Sequence, residues 1–155
     1  MKSISLAAAV TLTARSERTL WRWIANGSVT RVADNVAGKT MIALDSIKPY
    51  LGMPIAPEDF DLIERADAGG GADDNNEVAL FILANGKPEM AIYWLEAAAK
   101  LGSPDAMHWL GRCYLEGRGL AEDLNLGIMW LSNAAAHGHQ ISKLQIESLC
   151  APKAR

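Results

Sequence analysis

The sequence predicts a mainly α chain in two parts: a small helix-turn-helix unit winged by a short β-hairpin, then an α-helical hairpin repeat forming a short α-solenoid. Three observations carry this expectation. Capped amphipathic segments and two β-branched runs fill residues 1–56. An acidic stretch with three consecutive glycines follows at 57–76. Beyond it, in residues 77–155, an eleven-residue pattern returns at an offset of 36.

In the first part, Leu6 to Thr13 reads as a short helix with Leu6, Ala9, Val10 and Thr13 on one side. Ser16 is a good N-cap for the next helix, and Glu17 suits the positive end of its dipole. That helix runs to about Ala25 and closes at Asn26-Gly27. At 100° per residue Leu20, Trp23 and Ile24 share the packing face, while Arg18 and Arg22 point away with Trp21 beside them. Val29 to Val32 and Thr40 to Leu44 then form a hairpin with a loose tip at 33–39. Asp45 is expected to cap a last short helix through Leu51, which Gly52 and Pro54 end.

Charge divides the chain in the same places. The whole carries a formal −3, but residues 1–56 hold seven bases against three acids, or +4. Residues 57–76 hold one base and seven acids, or −6. The remainder is nearly neutral at −1. A basic head of this kind is the footprint a nucleic-acid contact leaves. In the neck, Glu58 to Ala66 reads as one short acidic helix and Gly69 to Asn76 as a flexible, self-repelling linker. Its acids could also fold back on the basic head.

The order helix, turn, helix, hairpin, helix, with Ser16-Glu17-Arg18-Thr19-Leu20-Trp21-Arg22-Trp23-Ile24-Ala25-Asn26-Gly27 behind Leu6-Ala7-Ala8-Ala9-Val10, resembles the head of MerR-like and phage-excisionase-like winged helix-turn-helix DNA-binding domains. The resemblance implies double-stranded DNA as a partner, with the Ser16 helix in the major groove. Arg18 and Arg22 would lie near bases or phosphates, Thr19 and Trp21 near the backbone, and Arg15 and Ser16 at the helix start. Arg31 and Lys39 on the wing would reach phosphates or the minor groove. Two departures stand out: Thr13 and Arg15 occupy positions that are usually apolar, and the long dimerisation helix of MerR regulators is missing. A solvated arginine face with no ligand is the plainer alternative.

The repeating segment is Ile92-Tyr93-Trp94-Leu95-Glu96-Ala97-Ala98-Ala99-Lys100-Leu101-Gly102, which returns as Ile128-Met129-Trp130-Leu131-Ser132-Asn133-Ala134-Ala135-Ala136-His137-Gly138. A fixed period in this range signals stacked supersecondary units. In the second unit Ala106, Leu110, Cys113 and Tyr114 share a face, Gly117-Arg118-Gly119 turns the chain, and Leu124, Ile128, Leu131 and Ala135 line the returning helix. Trp94 and Trp130 are expected to fill the gaps between units. Ala106, Leu110-Gly111, Tyr114, Gly117-Arg118-Gly119, Asp123, Trp130, Ala134-Ala135 and Gly138 resemble the Sel-one-like repeat, a relative of the tetratricopeptide repeat. This implies an adaptor that binds a protein or peptide. The first unit is degenerate, with a shorter turn at Asn85-Gly86-Lys87-Pro88, and Gln140 to Leu149 reads as a capping helix. His108, Arg112 and Leu115, opposite the packing face, are candidates for partner contact, although an ordinary mixed surface gives the same pattern. So short an array is expected to dock on the head or to pair as a homodimer.

No cofactor, metal set or catalytic constellation is expected. His137 and His139 lack a third ligand at suitable spacing, and Gly69-Gly70-Gly71 lacks the Lys-Ser/Thr of a phosphate loop. The longest apolar run, Val78 to Ala84, is far below the roughly 20 residues of a membrane span. Cys113 and Cys150 fit no disulfide framework, so a reduced, cytoplasmic setting is expected. A periplasmic repeat protein would instead need cleavage near Ala14. The sequence therefore points to a DNA-binding regulatory adaptor, such as a transcriptional regulator, or else to a protein-interaction adaptor without DNA binding.

Overall fold

The computed structural model describes residues 1–152, which separate into two compact units, residues 1–70 and the residues from 71 onward. In the first unit β1 (Ser3–Ser5) leads directly into α1 (Leu6–Thr13), and α2 (Glu17–Ala25) follows after a tight turn. The Ser16 hydroxyl accepts from the Thr19 amide at 3.2 Å and caps α2, as its position predicts. Leu20 is fully buried, and Trp23 stacks on Tyr50 with ring centroids 4.2 Å apart.

The sheet has three antiparallel strands in the order β1-β3-β2, not the two of a lone hairpin. β2 is only Arg31–Val32 and β3 only Met41–Ala43, both shorter than the β-branched runs suggest. Ile4 pairs with Ile42, and both are fully buried. α3 (Leu44–Ile47) then runs into a 3-10 turn at Lys48–Tyr50. Asp45 is not its cap. Ala43 holds that position without a side-chain bond, because Leu44 is needed in the core, and Asp45 pairs with Lys48 instead. That contact holds the Asp45 carboxyl below its usual range.

The expected linker is mostly helix. α4 (Pro57–Asp67) buries Phe60, Ile63 and Ala66 within the first unit, and α5 (Ala72–Ala84) already includes Asp73 to Asn76. Both helices place acids in their first turns, where the dipole favours them: Glu58 and Asp59 in α4, Asp73 and Asp74 in α5. Only residues 68–71 interrupt the helices. The charge run has structural partners too. Glu64 accepts from the Ser3 amide at 2.9 Å, Asp67 from the Ser5 amide at 2.6 Å, and Asp61 pairs with Lys2. β1 is an edge strand, and Glu64 and Asp67 satisfy backbone donors that would otherwise face outward unpaired.

The second unit is a run of helices: α5, α6 (Pro88–Lys100), α7 (Pro104–Glu116), α8 (Leu124–Ala136) and α9 (Gln140–Cys150). Each packs on the next, as hairpin repeats must to bury a shared core. Trp94, Leu95, Leu110 and Leu131 are buried there, but Trp130 is only partly covered and Leu124 is 61% exposed. α7 and α8 cross through facing glycines. A Cβ on Gly111 would meet the Gly127 carbonyl at 3.0 Å, and one on Gly127 would meet Leu115 at 2.6 Å. Among the described residues no helix is long and apolar enough to cross a membrane.

Candidate functional site

In the first unit the residues expected at DNA lie along the outer side of α2 and on the hairpin. Arg15, Ser16, Arg18, Trp21, Arg22, Arg31 and Lys39 are exposed, and Thr19 is half-buried beside the Ser16 cap. Arg15, Arg18, Arg22 and Lys39 make no ion pair among the described residues. Trp21, 39% exposed, donates its Nε1–H to Glu17 at 3.2 Å, and the Arg31 guanidinium sits 5.8 Å from its ring centroid. Arg31 also forms a two-pronged contact with Asp34 at 3.0 and 3.1 Å. Four of the cations are thus free to receive a ligand, while Arg31 is already engaged.

Charge weakens the nucleic-acid reading. Once α4 is counted with the fold it packs in, residues 1–70 carry eight bases and eight acids and are formally neutral. The +4 of the first 56 residues belongs to a unit whose balancing acids lie on its last helix.

In the second unit the three candidates at the partner face separate. His108 is only 4% exposed and belongs to the core under α9. Its position opposite Ala106 and Leu110 gives it a different neighbour rather than solvent. Its Nδ1 lies 2.8 Å from the Ser142 hydroxyl, and its ring stacks on His139 at 4.4 Å. Burial, then His139 and Arg112, push its pKa below the ordinary imidazole value against a weaker pull from Asp105. Arg112 and Leu115 remain partly accessible. Arg112 pairs with Glu116 one turn on, and Leu115 lies over Gly127.

Those two residues line a groove of about 250 Å³ with Glu116, Leu131, Gln145, Ser148 and Leu149, drawn from α7, α8 and α9. Its floor is aliphatic, its rim carries one paired guanidinium and carboxylate, and the buried Gln145 Oε1 has no hydrogen-bond partner among the described residues. Such a surface can hold an apolar side chain and offer polar contacts to the backbone that carries it. Gln145, Ser148 and Leu149 escape sequence reasoning because α9 reads as a cap with no face of its own. The exposed aliphatics of that helix, with Leu144 at 64%, are the signal that would have found it.

Comparison with known proteins agrees with the second unit. The Sel1 repeat model matches residues 80–103 and 104–139. The crystal structure of a Sel1 repeat protein from Oxalobacter formigenes resembles the chain with a TM-score of 0.52 and 24% identity, covering 91% of this chain and 92% of that one. No curated protein gives a significant match. The matches do not extend the resemblance of residues 1–56 to helix-turn-helix DNA-binding domains, and the small three-stranded sheet stands there without that support. Residues 80–139, by contrast, match the Sel1 repeat model twice.

Proposed function

We propose that this chain is a protein-interaction scaffold that acts by binding rather than by chemistry, its Sel1 repeats presenting the groove between α7, α8 and α9 to a peptide segment of a partner. The observation that carries this reading is the coincidence of that groove with the repeats: an aliphatic floor, a polar rim and a buried Gln145 acceptor with no partner among the described residues. Helical repeat arrays build extended binding surfaces from such faces. We place the activity in the cytoplasm, where free Cys113 and Cys150 stay reduced. Selection of binding peptides on the intact chain, followed by affinity measurement with Arg112→Ala and Ser148→Trp variants, tests the reading. Affinity falling by tenfold or more at unchanged melting temperature is the expected result; peptides that bind both variants as well as the parent would refute it.

A second reading, contact with double-stranded DNA through the first unit, is favoured by one observation. Arg18 and Arg22 stand exposed along a helix whose N-terminus Ser16 caps, Arg15 lies exposed just before the cap, and none of the three makes an ion pair among the described residues. Removing one phosphate-binding cation reduces the salt slope of binding by about 0.9. If Arg18→Ala with Arg22→Ala leaves DNA affinity and its salt slope unchanged, this reading fails. A second copy of the chain is the other partner we consider, through the exposed aliphatics of α9.

A further inference from the structure

The second unit holds a buried polar cluster that neither reading uses. It joins α7 to the start of α9. The His108 Nδ1 and the His139 Nδ1 both face the Ser142 hydroxyl, at 2.8 and 3.0 Å, and Ser142 itself is fully buried. His139 is also the N-cap of α9, its Nδ1 accepting from the Ser142 amide at 3.2 Å. On its far side the His139 Nε2 meets Asp105 at 3.3 Å, and Asp105 in turn accepts from Asn76 of α5 at 2.9 Å. The two imidazoles stack 17° from parallel.

Proton positions follow from donors and acceptors. An amide N–H can only donate, so the capping Nδ1 of His139 is unprotonated and its one remaining proton sits on Nε2, toward Asp105. Protonating His108 puts a charge in a buried site against a stacked imidazole. The titratable or charged groups that act on His108 are His139, before α9, and Arg112 and Asp105 of α7. α8 carries no titratable side chain, α5 contributes the neutral Asn76, and no charge from α6 bears on the site.

We propose that His108, Ser142 and His139 form an acid-sensitive latch: with His108 neutral the three hold the terminal helix α9 on the repeat stack, and protonation of the buried His108 releases it. Release uncovers the side of α7 on which His108 lies and dismantles the groove, three of whose lining residues belong to α9. The direction follows by linkage. A buried imidazole with a lowered pKa contributes docking stability in full above the ordinary imidazole value of about 6.5, and loses it as pH falls through that value toward the lowered one.

Amide hydrogen exchange on the full chain, read as protection factors at about pH 7.5 and about pH 5, on either side of the imidazole range, tests the latch. Protection across α9 should fall several-fold at the lower pH, while α5 and α6 keep theirs. His139→Asn retains a capping oxygen that does not titrate. Combined with His108→Gln, it should leave α9 protected at both pH values. Equal α9 protection at the two pH values in the parent would overturn the proposal, and so would an undiminished pH response in the double variant. Should that variant not fold, His108→Gln alone must already reduce the response, and a full parental response there overturns the latch as well.

Discussion

Asp67 receives two hydrogen bonds from one residue, the amide of Ser5 at 2.6 Å and the hydroxyl of Ser5 at 2.7 Å. The same hydroxyl accepts from the Ala8 amide at 3.2 Å and caps α1. One serine therefore ends the edge strand, starts the first helix and anchors the acidic helix α4. Hydrogen bonds to a charged group contribute about 1.5–3 kcal/mol each. Asp67→Ala should lower the stability of the first unit by about 2–3 kcal/mol, because it also strands the Ser5 amide. Native-state hydrogen exchange of the first unit's amides measures it, and a loss below about 0.5 kcal/mol, the range of an ordinary surface substitution, would show that the edge does not need this carboxylate.

That pair also shows which parts of the structure are legible in the sequence. α2 can be read directly, because Ser16, Glu17 and the Leu20 face are local signals within one helix. The repeats are legible for a related reason, since their signal recurs. β1 is not, because Ser-Ile-Ser is too short to show alternation and its pairing partner lies about forty residues away. The acids of α4 look solvated until their donors, some sixty residues earlier, are brought beside them. His108 is misread for the opposite reason: the helix face is assigned correctly, but α9 covers that face with Ser142 and His139.

The turn between α1 and α2 contains the one described non-glycine residue in the left-handed region, Ala14 at φ 52°. A side chain there costs about 1–2 kcal/mol relative to right-handed backbone, and glycine avoids most of it while losing more entropy on folding. Ala14 is exposed, so nothing packs on its methyl group to compensate. Ala14→Gly should therefore stabilise the first unit by about 0.5–1 kcal/mol. A melting temperature that falls instead would mean that the turn changes shape on substitution.

The two thiols should differ in reactivity. Cys113 is buried between α7 and its neighbours, and burial raises its pKa, so little thiolate forms at neutral pH. Cys150 ends α9 in the open. Alkylation of the native chain should label Cys150 rapidly and Cys113 only after unfolding, as mass spectrometry of the peptides can follow. Equal labelling rates would mean that the core of the second unit opens readily.

Gly119 marks the joint between the repeats. It lies in the loop from α7 to α8 at φ +79°, and a Cβ on it would fall 2.7 Å from the backbone of Pro88, the first residue of α6. Two penalties then act together, the left-handed conformation and a collision with main chain that cannot rotate away. Gly117, two residues earlier, shares the conformation at φ +62°, but a Cβ there would meet nothing closer than the Glu122 Cβ at 3.4 Å. Gly117→Ala should consequently cost about 1–2 kcal/mol, the conformational share alone. Gly119→Ala should cost more, about 2–4 kcal/mol, once the strain of moving backbone is added. Comparing the two variants by urea unfolding of the intact chain separates conformation from collision, and equal losses would show that the loop moves away from α6 without penalty.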